Sequence, residues 1–219
     1  MRKIEAVIFD MDGVLVNSEH FYVEMDKKIF GKMGLVMSEE EYIGYMGKAS
    51  DVMWKEIKQN WELPYSVDEL ETMSNEEAKS FFMELPAIEP IPGVMDVVGW
   101  LAAEGLPLAV ASSAGPEIIE IVIDRLGLRT YFRHVVNSKI VGKSKPEPDI
   151  FLHTATLLGV SPDKCLVVED STNGIKAAKR AGMYCVAYQG VSYFGQDQSE
   201  ADVCIEDYSQ FRDVIERLI

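Results

Sequence analysis

Ala6, Val7, Ile8 and Phe9 form a short apolar run that passes directly into Asp10-Met11-Asp12-Gly13. A run with these β-branched and aromatic members fits a strand buried on both faces of a parallel sheet, and Gly13 ends it. Open α/β sheets bind their ligands outside the carboxyl ends of the strands, so both acids stand where such a fold keeps its chemistry. Residues two apart on an extended chain share a side. Like charges held that close disfavour each other's ionised form unless a cation or a shared proton relieves them, and the pair therefore asks for a metal. A turn would account for Asp12-Gly13 alone but not for Asp10 at the end of an apolar run.

The pattern recurs downstream. Leu106 to Ala111 is an apolar run ending in Ser112-Ser113, and Cys165 to Val168 is one ending in Glu169-Asp170. Shorter strand-like runs lie at Val135-Val136, Tyr184 to Ala187 and Val203 to Ile205. Helical spacing fills the gaps: Val94, Val97, Val98 and Leu101; Ile118, Ile119, Val122 and Leu126 behind Pro116; Phe151, Ala155 and Leu158; and Phe211, Val214, Ile215 and Leu218. Strands alternating with helices predict an α/β fold with a doubly wound parallel sheet.

One stretch departs from the alternation. Tyr22, Met25, Ile29 and Met33 recur at helical spacing, Ser38 with Glu41 and Ser66 with Glu69 match the capping-box pattern, and Leu70, Met73, Ala78, Phe81 and Leu85 continue a helical stripe. Pro86, Pro90 and Pro92 then mark a boundary. The expected organisation is an α/β core domain from residues 1–16 and 91–219, with a helical domain, residues 17–90, inserted between them.

A chain of 219 residues is long enough to bury a substantial core. Its formal charge of -15 argues against nucleic acid and anionic membranes as partners. An anionic metabolite remains compatible, because a metal and a lysine in contact dominate over charges beyond a screening length of about 8 Å. The opening apolar run is too short for a signal peptide and no span is long enough to cross a membrane, so a cytoplasmic location is expected; separately, the chain is expected to be a monomer. Cys165, Cys185 and Cys204 are odd in number and lack zinc-like spacing, and are expected to be buried thiols.

Polar residues at other strand ends complete a candidate site. Ser112, with Ser113 after it, offers a hydroxyl and a backbone N–H to a phosphoryl oxygen. Lys145 lies in Lys143-Ser144-Lys145-Pro146-Glu147-Pro148-Asp149, where the prolines stiffen the backbone that would aim its ammonium inward. Glu169-Asp170 repeats the arrangement after the first strand, and Mg²⁺ takes one or two carboxylates plus water and phosphate. Asp10 and Asp170 would supply those carboxylates. Asn173 and Gly174 would brace the loop, and Asn173, like Ser113, is a candidate substrate contact.

With these residues in order, the chain resembles the haloacid dehalogenase-like phosphohydrolases, in the subgroup with a helical cap inserted after the first motif. The matching residues are Asp10-Met11-Asp12-Gly13-Val14, Ser112 after its strand, Lys145 in Lys-Pro-Glu-Pro-Asp, and Glu169-Asp170-Ser171 with Asn173-Gly174-Ile175. The resemblance implies a Rossmann-like core, a Mg²⁺ cofactor and a small phosphorylated metabolite as substrate. It implies that Asp10 becomes transiently phosphorylated and that Asp12 is the general acid and base, with its main-chain carbonyl on the metal. Asp170 is implied as a metal ligand, with Glu169 either a ligand or a partner behind it, and Lys145 and Ser112 as charge-neutralising groups. Asp12 points to phosphate rather than halide chemistry, since a departing halide needs no proton.

Within the subgroup the chain is similar to β-phosphoglucomutases in cap size and in Glu169-Asp170-Ser171. It departs where a mutase histidine is replaced by Tyr22, with His20 two residues earlier, and where Ser50 stands at a substrate-binding arginine position. Lys48 and His20 are the candidate substrate contacts on the insert. The reading that follows is a phosphatase of a small phosphate monoester, sugar phosphates among them, with a β-phosphoglucomutase-type mutase as alternative. A phospho-accepting signalling module without turnover is a second alternative, against which Asp12 and the helical insert weigh.

Overall fold

In the computed structural model, which describes residues 3–45, 50–190, 195–216 and 218–219, the apolar run becomes β1 (Ala6–Phe9) with every residue buried. It is the inner strand of a six-stranded sheet. β2 (Leu108–Ser112), β3 (Phe132–Asn137), β4 (Cys165–Glu169), β5 (Tyr184–Tyr188) and β6 (Val203–Ile205) pair parallel in the order β3-β2-β1-β4-β5-β6. The chain builds outward from β1 through β2 and β3, then returns to β1's other side with β4. That reversal is the point at which open α/β sheets form their ligand crevice.

The two middle neighbours explain the continuous apolar runs: β2 and β4, like β1, are buried at every position. Helices cover the faces. They are α5 (Val94–Ala103), α6 (Pro116–Arg125), α7 (Ser138–Val141), α8 (Asp149–Leu158), α9 (Thr172–Arg180) and α10 (Phe211–Ile215), numbered after four helices of the insert. Pro116 takes the first turn of α6, where its missing N–H costs nothing. One core cluster joins Ile8 of β1 and Val167 of β4 to Ile150, Phe151 and Ala155 of α8 and Ile175, Ala177 and Ala178 of α9. Burying a side chain such as Ile8 contributes about 1.5–3 kcal/mol. The four-residue α7 was not anticipated, being too short to show a period.

The chain divides into two compact units, one of Met1–Glu19 with Ala87–Ile219 and one of His20–Pro86. These junctions differ from the expected 16/17 and 90/91. The reason is local pairing: Val16 bridges both Asp12 and Pro90, and Ile91 N–H donates to Leu15 carbonyl at 2.9 Å, so the two connecting segments are paired to each other within the first unit.

The helical unit contains nearly all of α1 (Glu19–Lys32), then α2 (Glu39–Ile43), α3 (Ser50–Asn60) and α4 (Val67–Glu84). Both capping boxes form: Ser38 and Ser66 hydroxyls accept from the N–H groups of Glu41 and Glu69, whose carboxylates accept back from the serine N–H groups at 2.8 and 2.7 Å. Trp54, Ile57, Leu70 and Phe82 are fully buried and form the unit's interior. Cys165 and Cys185 are buried, but Cys204, on the edge strand β6, is exposed, contrary to expectation. Edge strands carry one face outward, and a three-residue run shows too little pattern to say which. Among the described residues no helix is long and apolar enough to cross a membrane.

Candidate active site

Three strand ends converge because of sheet order. Phe9 pairs with Val110 on one side and Val168 on the other, so Asp10 leaves β1 between the ends of β2 and β4. Its N–H continues the ladder to Val168 carbonyl at 2.9 Å, which fixes the backbone from which the carboxylate projects. Asp10 is 6% exposed. Lys145 reaches it from the loop before α8. Arg180 of α9 pins that loop, donating to the carbonyl of Pro146 at 3.0 Å and to Glu147 at 3.3 Å. The Lys145 ammonium then donates to Asp10 Oδ1 at 2.5 Å, Glu169 Oε1 at 2.7 Å and the Ala111 carbonyl at 3.1 Å. Its three donors are thereby used, and the Phe151 ring lies 4.9 Å away.

Glu169 is 1% exposed and engaged at both oxygens. Oε1 meets Lys145, while Oε2 accepts from the N–H groups of Asp170 and Ser171, at 2.8 and 2.9 Å, and from the Ser171 hydroxyl at 3.0 Å. This arrangement fits a carboxylate that shapes the loop from behind. Gly174 makes room for it, since a Cβ there would lie 1.6 Å from Glu169 Oε1. Ser171 caps α9 by accepting from Gly174 N–H at 3.0 Å, and Asn173, expected to brace the loop and contact substrate, is exposed on the first turn. Asp170 turns the other way, against the first motif: a Cβ on Gly13, whose φ is +72°, would lie 2.1 Å from Asp170 Oδ2. The glycine after Asp12 thus serves both its left-handed turn and the approach of Asp170.

Asp12 is half-buried. Its Oδ1 accepts from the Ser18 hydroxyl at 2.5 Å, and its Oδ2 lies 3.5 Å from the Ser112 hydroxyl. Ser112 is buried at the end of β2 and also accepts from Ala114 N–H at 3.0 Å. Ser113 is exposed. Ser18 carries no sequence signal beyond being a hydroxyl six residues past an acid. In the helical unit, His20 is exposed with its ring 3.9 Å from that of Phe21, and Tyr22 packs on Phe82 at 5.4 Å. Lys48 lies outside the described residues.

The electrostatics are those of too many acids for one ammonium. Burial pushes Asp10 up to about 8, with Glu169 and Asp12 adding to the rise and Lys145 opposing it. Burial also raises Asp170 well above the usual carboxylate range, helped by Glu169, Asp10 and Glu19. Lys145 is held protonated: burial works against its charge, but Asp10 and Glu169 more than offset that. No grouping of three or more Asp, Glu, His or Cys side chains forms a metal cage among the described residues. The side chains that could hold a cation, Asp10 and Asp170, form a more open set. A hard divalent cation that keeps several waters fits such a set, and its charge answers the surplus of carboxylates.

A strand-end aspartate paired with a buried lysine, a second aspartate two residues on and a third from the neighbouring strand set the chain beside known proteins. A profile of the haloacid dehalogenase-like hydrolases matches residues 7–188. The chain belongs to that family. Fructose-1-phosphate phosphatase YqaB of Escherichia coli is 33% identical over 182 residues, 83% of this chain and 94% of that protein. The bifunctional riboflavin kinase/FMN phosphatase of Arabidopsis thaliana is 34% identical over 189 residues, 85% of this chain; the chain spans about half, 49%, of that relative's length. In fold, a mutant of CbbY from Rhodobacter sphaeroides, solved with xylulose-(1,5)bisphosphate, superposes with a TM-score of 0.85 at 24% identity, covering 94% of this chain and 96% of that one. The haloacid dehalogenase-like core is therefore the six-stranded parallel sheet described above.

Proposed function

We propose that this chain is a Mg²⁺-dependent phosphatase that hydrolyses a small phosphate monoester, a sugar phosphate being the favoured class, through a phosphorylated Asp10. The observation that carries the reading is Asp10 itself: a buried carboxylate at the sheet's reversal point, held by Lys145 at 2.5 Å, with Asp12 two residues on. Relatives named as phosphatases support the reaction class, and the sugar phosphate in the name of the Escherichia coli relative supports the substrate class.

The chemistry follows from the groups present. An Asp10 oxygen attacks phosphorus as the bond from phosphorus to the ester oxygen breaks, and the departing alkoxide takes a proton from Asp12. Asp12, now a carboxylate, accepts a proton from the water that attacks the phosphoaspartate, releasing phosphate and restoring Asp10. Acid–base help of this kind is worth about 10²–10⁴-fold. Ser18 holds the Asp12 carboxylate in place. Lys145 and the Ser112 hydroxyl neutralise charge on the transferred group, where most phosphoryl-transfer catalysis lies. A divalent cation held by Asp10, Asp170 and the Asp12 carbonyl would supply the further positive charge that keeps both carboxylates ionised. Glu169, engaged by Lys145 and the loop, positions Asp170 rather than joining the ligands. Lys48 and His20 are proposed substrate contacts.

The test is Mg²⁺-dependent release of phosphate from p-nitrophenyl phosphate, then from a panel of monoesters, with β-glucose 1-phosphate followed for conversion to the 6-phosphate. Asp10→Asn is expected to reduce turnover to background with an unchanged circular dichroism spectrum. A variant that still turns over refutes Asp10 as nucleophile, and 6-phosphate in place of free phosphate makes the protein a mutase.

A further inference from the structure

We infer that Gln198, 28 residues beyond Asp170, is a second positioning residue for that aspartate beside Glu169, and so helps set the geometry of the cation site; the inference rests on the metal-dependent reading above. The last paired residues of β4 and β5 are Glu169 and Ala187. Beyond them the two strands no longer bond to each other, and the carbonyls of Asp170 and Tyr188 are left at the sheet's end. A single side-chain amide takes both: Gln198 Nε2 donates to Asp170 carbonyl at 2.6 Å and to Tyr188 carbonyl at 3.0 Å. Both partners accept only, so the amide's orientation is fixed by chemistry, with the N–H₂ group facing them. Gln198 is 7% exposed, and its Oε1 is buried without a protein partner.

The neighbours of Gln198 grip the same loop. Gln196 Oε1 accepts from Thr172 N–H at 2.8 Å, at the first turn of α9, and Asp197 N–H donates to the Thr172 hydroxyl at 2.7 Å. Residues 196–198 thus hold the loop at Asp170 and Thr172, while Glu169 holds it through the N–H groups of Asp170 and Ser171. The Asp170 carboxylate is fixed against Gly13 by these two braces together. Glu169 is recognisable from its motif. Gln198 is not, because it lies in an irregular segment with no periodicity.

Calorimetric titration of the metal-free full chain with Mg²⁺ tests the inference. Gln198→Leu keeps the volume but loses both donors; Gln198→Asn keeps the donors but is a methylene too short to reach both carbonyls. Each is expected to weaken Mg²⁺ binding about 10- to 100-fold, the usual effect of removing a partner behind a ligand. Excess Mg²⁺ should restore most of kcat on p-nitrophenyl phosphate with KM unchanged, a split that general loosening of the fold would not produce. Wild-type affinity in a folded Gln198→Leu overturns the inference, and so does loss of the fold in both variants, since the amide would then serve the whole sheet. Absence of Mg²⁺ binding by the wild-type chain instead refutes the metal-dependent reading on which the inference stands.

Discussion

Glycines decide how close the carboxylates of this site come to the chain. At Gly174 a Cβ would occupy the position of Glu169 Oε1, and at Gly13 that of Asp170 Oδ2. Gly174→Ala must therefore push Glu169 off Lys145. A shift of about 1 Å in a positioning group costs on the order of 10²-fold, so a fall of that size in kcat/KM is expected for the variant. Gly13→Ala adds a left-handed φ, unfavourable by about 1–2 kcal/mol for a residue with a Cβ, to displacement of Asp170. Its signature should be a raised Mg²⁺ requirement, read from activity against Mg²⁺ concentration; an unchanged requirement would mean that Asp170 does not hold the metal. Sequence pattern exposes both glycines as part of motifs, but the reason for them is a carboxylate arriving from another strand.

The helices of the insert carry a buried acid that the proposed chemistry leaves unused. Asp26 of α1 accepts from the Tyr42 hydroxyl of α2 at 2.7 Å, and burial raises its pKa to about 6 from an ordinary 3.8, with Tyr42 opposing the rise. A carboxyl whose folded pKa lies above the unfolded one favours the folded state when protonated. Its contribution is fully present below pH 3.8 and is lost as pH rises through about 6, a change of about 3 kcal/mol. Urea unfolding followed by tryptophan fluorescence should show that loss between pH 4 and 6.5, added to the one from Asp10 and Asp170, and Asp26→Asn should remove its own share. A slope unaffected by the substitution would place the titration elsewhere. The helices themselves are legible from Ser38 with Glu41 and Ser66 with Glu69, because capping depends on residues three apart. Asp26 meeting Tyr42 is not, because that contact depends on how two helices pack.

Across the whole molecule, a formal charge of -15 makes a bound divalent cation a stabiliser as well as a cofactor. Mg²⁺ at about 100 times its Kd should stabilise the folded chain by about 2.7 kcal/mol, or on the order of 5–10 °C in thermal midpoint for a protein of this size. A chelator should reverse the shift and abolish activity together. In Asp170→Ala the Mg²⁺-induced shift should vanish, while the metal-free midpoint rises because a half-buried acid has been taken from beside Asp10 and Glu169. Scanning calorimetry of both proteins with and without Mg²⁺ reads these outcomes, and an undiminished shift in the variant would assign the ion to another site.

The sequence alone determined where the strands end and what they end in, because Val7-Ile8-Phe9 before Asp10 and Leu166-Val167-Val168 before Glu169-Asp170 are local patterns of burial and polarity. It likewise determined the helical insert and its capped starts. Tertiary structure decided which polar group meets which. Lys145 finds Asp10 across 135 residues, Ser18 rather than a motif residue holds Asp12, Gln198 holds the Asp170 main chain, and Cys204 faces outward. Those pairings depend on the order and register of the six strands together with the loops packed at their ends. Register is set by every buried face of the sheet packing at once, and no short stretch of chain contains that information.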